Sequence, residues 1–196
     1  MKASTPCIIG IVGLPGAGKT TVAAYLVKKK FAHVILSDFV QEEIIARGVK
    51  DFSRFTYQTV ANSMRENHGG DILAKRAIKK IQNEHLKKAV IDGVRNVSEI
   101  SYLRKQKCFH LLGITANARV RFARLSARLH TDKQIHRSFK DFIKEEKRED
   151  SLGSKKIGLR VSESLKEADV TVRNNHGRKE LYNAIDKLLK KWEGNE

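Results

Sequence analysis

Along the chain, short uninterrupted apolar runs alternate with longer segments whose apolar residues recur every three or four positions. Cys7 to Val12, Cys-Ile-Ile-Gly-Ile-Val, has no polar break, which predicts a strand buried on both faces. A glycine-rich turn follows. Val22, Leu26 and Val27 then mark the stripe of a helix over 20–30, whose closing lysines suit the negative end of a helix dipole. A second strand is expected over 33–36. Helices follow over 38–47, about 54–67 and 71–84, with His68-Gly69-Gly70 as the break before the last. Lys88–Asp92 reads as a third strand, 98–106 as a short helix and 108–115 as a fourth strand. Asn117 can cap a helix running through 129. A polar loop over 131–137 leads to Ser138-Phe139-Lys140-Asp141, a capping box that opens a charged helix to about 150. A fifth strand is expected over 168–173 and an amphipathic helix over 179–192. Strands alternating with helices predict a parallel sheet covered on both faces. No boundary resembles a linker, and 196 residues suit one α/β domain.

Composition adds one unusual fact. Lys plus Arg total 39 against 22 Asp plus Glu, a net charge of +17, and such a field attracts nucleotides, phosphorylated metabolites or nucleic acid. Charge alone does not choose among them, and runs such as Lys28-Lys29-Lys30 and Lys190-Lys191 are also ordinary solvated helix ends. Cys7 and Cys108 have no metal-ligand or redox spacing and read as small buried hydrophobes. The seven histidines show no metal spacing either. No apolar run is long enough to span a bilayer, and the first residues do not form a secretory signal, so a cytoplasmic location without membrane association is expected.

The specific chemistry lies in the turn after the first strand. Gly13-Leu14-Pro15-Gly16-Ala17-Gly18-Lys19-Thr20 fits the Walker A pattern at every fixed position, with a strand before it and a helix after it. Glycines let successive backbone N–H groups turn inward around a phosphate, and the helix N-terminus adds partial positive charge. These eight residues, with Thr21 next on the helix, form the expected nucleotide-binding set for ATP. Lys19 is expected on the β- and γ-phosphates and the Thr20 hydroxyl on Mg²⁺. Ala89-Val90-Ile91-Asp92 ends a strand on a carboxylate, so Asp92 is the second candidate for the metal, the alternative being a strand-terminal turn residue.

The acceptor side distinguishes kinases from other P-loop proteins. The guanine-reading Asn-Lys-x-Asp pattern of GTPases is absent. Asp92-Gly93-Val94-Arg95 resembles the Asp-Gly-x-x-Arg stretch of nucleoside monophosphate kinases, without the usual proline before the arginine. Ser37-Asp38 matches the start of their acceptor-binding helices, Arg121-Phe-Ala-Arg124-Leu-Ser-Ala-Arg128 the helix leading into their lid, and Arg148 the helix leaving it. The stretch from Ala168 to Asn175 resembles the strand and loop beside the adenine. Over about residues 7–190 the chain is similar to a chiefly archaeal family of P-loop kinase-like proteins, described as dephospho-coenzyme-A-kinase-like or nucleotide-kinase-like. Where true dephospho-coenzyme A kinases have Pro-Leu-Leu-like residues after the third strand, this chain has Asp92-Gly93-Val94-Arg95.

The resemblance implies an α/β three-layer P-loop domain with a five-stranded parallel sheet in the order 2-3-1-4-5. It also implies one domain over 1–196, with an acceptor-binding helical insert at about 38–86 and a lid at about 129–137. The first and fourth strands would then be neighbours, bringing Cys7 and Cys108 within about 10 Å as free thiols. Arg95 would grip the acceptor's phosphate, and Arg128 and Arg148 would close on the transferring phosphoryl group. Residues 119–148 hold ten Lys or Arg against four Asp or Glu. Arg121, Arg124 and Arg128 share a helix face from which one or two could reach phosphates, while Arg119 suits solvent. Asp38 is either a base for an acceptor hydroxyl or a helix N-cap beside Ser37. The expected activity is therefore transfer of the γ-phosphoryl of ATP, with Mg²⁺, to a small nucleotide-like acceptor. A nucleic-acid-associated P-loop ATPase or regulatory nucleotide-binding module is the alternative. It is motivated by the charge and opposed by an aromatic content of 7% and the lack of an RNA-binding motif.

Overall fold

A computed structural model describes residues 7–128, 138–152 and 161–193. Five parallel strands form one sheet in the order β2-β3-β1-β4-β5, as expected. They are β1 (Cys7–Val12), β2 (Ala32–Ile35), β3 (Lys88–Asp92), β4 (Phe109–Thr115) and β5 (Val170–Arg173). The helices are α1 (Lys19–Lys28), α2 (Leu36–Ala46), α3 (Arg54–His68), α4 (Ile72–Asn83), α5 (Val97–Leu103), α6 (Ala118–Arg128), α7 (Phe139–Leu152), α8 (Val161–Lys166) and α9 (Arg178–Glu193).

Side chains along a strand alternate between faces, so the uninterrupted apolar run of β1 serves two cores. Ile8 and Val12 pack with Leu36, Phe39, Ile44, Met64 and Ile81 from α2, α3 and α4. Ile9 and Ile11 face the other way, onto Val22 and Leu26 of α1 and Leu181, Ile185 and Trp192 of α9. The result is a three-layer sandwich with β1 at its centre, fully covered. A fully buried isoleucine contributes about 2–3 kcal/mol by removal from water, which is why such runs locate central strands so reliably.

β1 lies between β3 and β4, with Ile8 opposite both Ala89 and Phe109. The Cys7 amide donates to the Lys87 carbonyl at 2.9 Å and the Ile8 amide to the Cys108 carbonyl at 2.8 Å, so the two cysteines begin adjacent strands. Both are free thiols. β4 starts at Phe109, one residue later than expected.

The entry to the helical layer differs more. The helix expected from residue 38 begins at Leu36, immediately after β2, and Ile35 occupies its N-cap position with no side-chain capping bond. Leu36 is 1% exposed, and burying it brings the helix start forward. Ser37 and Asp38 therefore lie inside the first turn, and Asp38 is not an N-cap. Downstream, Ser138 accepts the Asp141 amide at 3.2 Å, completing the expected cap of α7. The short helix α8 has no counterpart among the sequence-based expectations.

Candidate active site

All five strands point their C-terminal ends at one edge of the sandwich, and β1 delivers the glycine-rich loop there. The glycines are demanded by close packing. A Cβ on Gly13 would lie 2.2 Å from the Ile114 carbonyl oxygen. Gly18, at φ 111°, precedes α1 in a conformation that favours glycine, and a Cβ there would meet Asn174 Nδ2 at 2.3 Å.

The loop's carbonyls are tied from outside. Asn174 Nδ2 donates to the Ala17 carbonyl at 2.8 Å. Arg124 Nη1 reaches the carbonyls of Gly16 and Ala17, both at 3.5 Å, and its Nη2 donates to Asn174 Oδ1 at 3.3 Å. Arg121 Nη1 lies 3.5 Å from the Pro15 carbonyl. Lys19 Nζ folds back on the carbonyls of Gly13 at 2.7 Å and Leu14 at 3.2 Å. Bonds from Asn174, Arg121 and Arg124 to the carbonyls of Pro15, Gly16 and Ala17 hold the loop in one shape, which a backbone nest for an anion requires.

Arg121 is committed further. It is 4% exposed, donates to the Ala116 carbonyl at 3.0 Å, and forms a two-pronged pair with Glu146 of α7, with Nη2 to Oε2 at 2.9 Å and Nη1 to Oε1. Arg121 and Arg124 thus shape the loop rather than solvating α6. Arg119 lies over the Phe139 ring at 5.1 Å from its centroid.

In front of the loop is a cavity of about 250 Å³ lined by Pro15, Gly16, Gly18, Lys19, Thr20, Ile35, Ser37, Asp92, Gly93, Arg95 and Leu125. The sheet register explains the convergence, since Asp92 pairs with Ile11 on one side and Ile35 on the other. Lys19, Thr20, Asp92 and Arg95, four separate expectations from the sequence, therefore face one space. Ser37 joins them, whereas Asp38 is exposed in the next position and is not among the lining residues. The side chains of Arg128 and Arg148, and the whole of 129–137, fall outside the described residues.

Thr20 and Asp92 offer a hydroxyl and a carboxylate, hard oxygen donors of the kind Mg²⁺ takes. Among the described residues no cluster of three His, Cys, Asp or Glu side chains could cage a metal. That fits Mg²⁺, which usually keeps waters and borrows phosphate oxygens rather than sitting in an all-protein cage. His33 Nε2 approaches Asp92 Oδ2 at 3.7 Å, too far for a hydrogen bond.

Arg95 is open to water yet crowded on several sides by protein. That partial loss of hydration, and next the like charge of Arg54, lower its pKa from the ordinary guanidinium value, while Asp92 and Glu99 pull the other way. A cation whose neighbours leave it short of compensation favours an incoming anion. The backbone beneath Arg95 is fixed by Glu99, which is fully buried. Its Oε2 accepts the amides of Arg95 at 3.0 Å and Asn96 at 3.2 Å, and its Oε1 accepts Arg65 Nη2 of α3 at 3.0 Å. Neither Glu99 nor Asn174 is conspicuous in the sequence as a site residue. The one signal for Glu99 is Asn96-Val-Ser-Glu99, a capping-box pattern at the start of α5.

Comparison with known proteins supplies a family and related folds. Residues 9–152 match a family model described as AAA domain. A UPF0200 protein of Methanocaldococcus jannaschii is 30% identical over 93% of this chain and 88% of its own length. The chain belongs to the UPF0200 family. A second relative, a UPF0200/UPF0201 protein of Archaeoglobus fulgidus, is 32% identical over 94% of the chain, which spans only 55% of that longer protein. Solved structures share the UPF0200 chain's fold at low identity. TT1252 from Thermus thermophilus superimposes with a TM-score of 0.62 at 18% identity, covering 96% of this chain and 98% of its own. Shikimate kinase from Acinetobacter baumannii, solved with shikimate, gives 0.55 at 15% identity, covering 96% and 95%. The fold is that of the P-loop kinases. Among the described residues no helix is long and apolar enough to cross a membrane.

Proposed function

We propose that the chain is an ATP-dependent phosphotransferase that moves the γ-phosphoryl group to a small, nucleotide-like acceptor. The observation that carries this reading is that Lys19 and Thr20 of the phosphate loop share one cavity with Arg95 and Ser37 from the acceptor side. A kinase must hold two phosphorylated molecules in line, and an arginine that shares one cavity with the phosphate loop suits the second of them.

In this reading backbone amides of the 13–20 loop bind the ATP phosphates together with Lys19, although Pro15 has no N–H and that of Ala17 donates to the Leu14 carbonyl. Lys19 leaves the Gly13 and Leu14 carbonyls to reach them. Thr20 and Asp92 would hold Mg²⁺, which supplies charge neutralisation at the phosphates when bound. Arg95 grips the acceptor's phosphate. The bond from the γ-phosphorus to the ADP oxygen breaks as a bond forms to the acceptor oxygen. An acceptor phosphate oxygen carries no proton that needs removing, whereas an acceptor hydroxyl does, and Asp38, exposed next to the cavity-lining Ser37, is the candidate to receive it once an acceptor binds. Arg128 and Arg148, at the end of α6 and late in α7, stand on the helices that flank the lid segment at 129–137 and act on the transferring group when it closes. The cavity, at about 250 Å³, suits the reacting phosphates. Sites that enclose a whole drug-sized ligand run from about 300 Å³ upward, so the acceptor's remainder extends toward the helical insert at about 38–86.

The test is a coupled assay of ADP formation with nucleoside monophosphates, deoxynucleotides, dephospho-coenzyme A and small hydroxylated acids. One acceptor should raise turnover well above the rate with ATP alone, and the Arg95→Ala variant should raise its KM. ATP hydrolysis that ignores every acceptor but responds to RNA or DNA would replace this reading with that of a nucleic-acid-associated ATPase.

A further inference from the structure

The parallel sheet gives the molecule two unlike ends. One carries the cavity. At the other, β1, β3 and β4 begin and α1 and α9 stop, and lysines gather there. Lys87 and Lys107 stand just before β3 and β4, on either side of β1, where Cys7 bonds to the Lys87 carbonyl and Ile8 to that of Cys108. Two strand spacings put their backbones about 10 Å apart. Lys28 and Lys30 close α1, and Lys190 and Lys191 close α9. Those two helices pack on the same face of the sheet, with Tyr25 stacked on Tyr182 at 4.0 Å. All six lysines are exposed.

Nearby carboxylates are taken by other cations. Asp186 pairs with Lys29 at 2.9 Å, Asp169 with Arg104 at 2.9 Å, and Glu84 with Lys80 at 3.8 Å. Among the described residues no carboxylate pairs with any of the six. Helix dipoles account for Lys28, Lys190 and Lys191 but not for Lys87 and Lys107, which stand at strand starts. Beyond the pull of Asp186 on Lys190, the cluster is a concentration of like charge that an external polyanion relieves.

We propose that this end of the molecule docks double-helical nucleic acid by its phosphates. Single strands are held by stacking bases on open aromatic rings, and the rings here are either buried or, as with Tyr25 and Tyr182, stacked on each other. Phe31 is 4% and Trp192 7% exposed, with Trp192 stacked on His110 at 4.4 Å. Lysines on flexible stems contact phosphates as point charges and do not read base edges, so binding is indifferent to sequence and steeply salt-dependent.

The experiment is fluorescence anisotropy of the full chain with a labelled DNA duplex of about two helical turns, roughly 20 base pairs, and the RNA duplex of the same sequence. It compares wild type, the quadruple variant Lys87→Gln/Lys107→Gln/Lys190→Gln/Lys191→Gln, and Lys19→Ala. Wild type should bind both duplexes more tightly than a single strand. The quadruple variant should bind at least about tenfold more weakly, with a log–log salt slope shallower by about 0.9 for each DNA phosphate that it no longer neutralises. Lys19→Ala, altered only at the opposite end, should bind like wild type, and the quadruple variant should keep its affinity for ATP. These binding readouts do not depend on phosphoryl transfer, so their failure is distinguishable from failure of the kinase reading. Overturning results are undiminished duplex binding by the quadruple variant, loss of binding in Lys19→Ala, or competition by ATP. Capture by phosphatidylserine-containing vesicles without any duplex binding would make the surface a membrane contact instead.

Discussion

Removing the Glu99 carboxylate should carry one of the largest costs of any single substitution in this chain. The group is fully buried and takes Arg65 Nη2 at 3.0 Å together with the amides of Arg95 and Asn96. In Glu99→Ala the Arg65 guanidinium, 5% exposed, keeps its charge but loses its partner. Arg65 Nε already has no hydrogen-bond partner, so the site has no spare acceptor to offer. Breaking a buried pair from one side costs about 3–5 kcal/mol. With a urea m-value of about 2 kcal/mol/M, a loss of about 4 kcal/mol lowers the unfolding midpoint by about 2 M. Urea unfolding followed by circular dichroism reads this directly. Arg65→Met/Glu99→Leu removes both charges and should recover at least half of the loss, leaving two orphaned amides at about 1 kcal/mol each. A shift below about 1 kcal/mol in Glu99→Ala, or a double variant as unstable as the sum of its singles, would refute the buried-pair reasoning.

Other substitutions test the site more directly. Lys19→Ala should abolish phosphoryl transfer yet change the melting temperature little, because its contacts include the Gly13 and Leu14 carbonyls rather than apolar core; calorimetry and ADP release check both halves. Arg128→Ala should bind ATP within a few-fold of wild type but lose about 10²-fold or more in kcat, measured by titration and single-turnover kinetics. Asp38→Asn should cost about 10²-fold in kcat with a hydroxyl acceptor and almost nothing with a phosphate acceptor, so the acceptor screen run on this variant identifies the attacking oxygen. Asp186 is held below the ordinary carboxylate value of 3.8, first by the Lys29 hydrogen bond and then by Tyr25. Its contribution is fully present above that value and disappears as pH falls through the lowered one, so Asp186→Asn should lower thermal stability near neutrality and flatten the profile below about pH 4, where the two proteins converge.

The legible parts of the sequence were those whose cause is local. β1 and the phosphate loop announce themselves because an unbroken apolar run and a fixed glycine spacing each answer a nearby constraint. Asp92 could be placed at the cavity because a strand runs out at that carboxylate, whereas Arg95 came from the resemblance to nucleoside monophosphate kinases. The strand order came from resemblance to nucleoside monophosphate kinases and not from periodicity, which carries no information on which strands pair. What stayed hidden depends on distant partners. Glu99 and Arg65 look like surface charges until α3 packs over α5 and buries them against each other, 34 residues apart in sequence. Asn174 acts on a loop 157 residues away. Leu36 starts a helix early because a core position is waiting for it, and the polar sequence of α8 has no apolar stripe to announce a helix at all.

The two-pronged grip of Arg121 on Glu146 has a bearing on how this scaffold can be remodelled. It fastens α6 to α7 near their roots, and Phe122 adds contacts with Phe139 at 5.6 Å and Phe142 at 5.7 Å between ring centroids. The same guanidinium leans on the Pro15 carbonyl, so the joint that fastens the helices also braces the phosphate loop. Changes to the chain between the two helices that keep this joint should leave the loop's shape intact. On the proposed function, grafting different connectors onto a preserved Arg121–Glu146 clasp should alter acceptor choice with nucleotide affinity retained. The same graft in an Arg121→Lys background, where the fork geometry is gone, should lose both together.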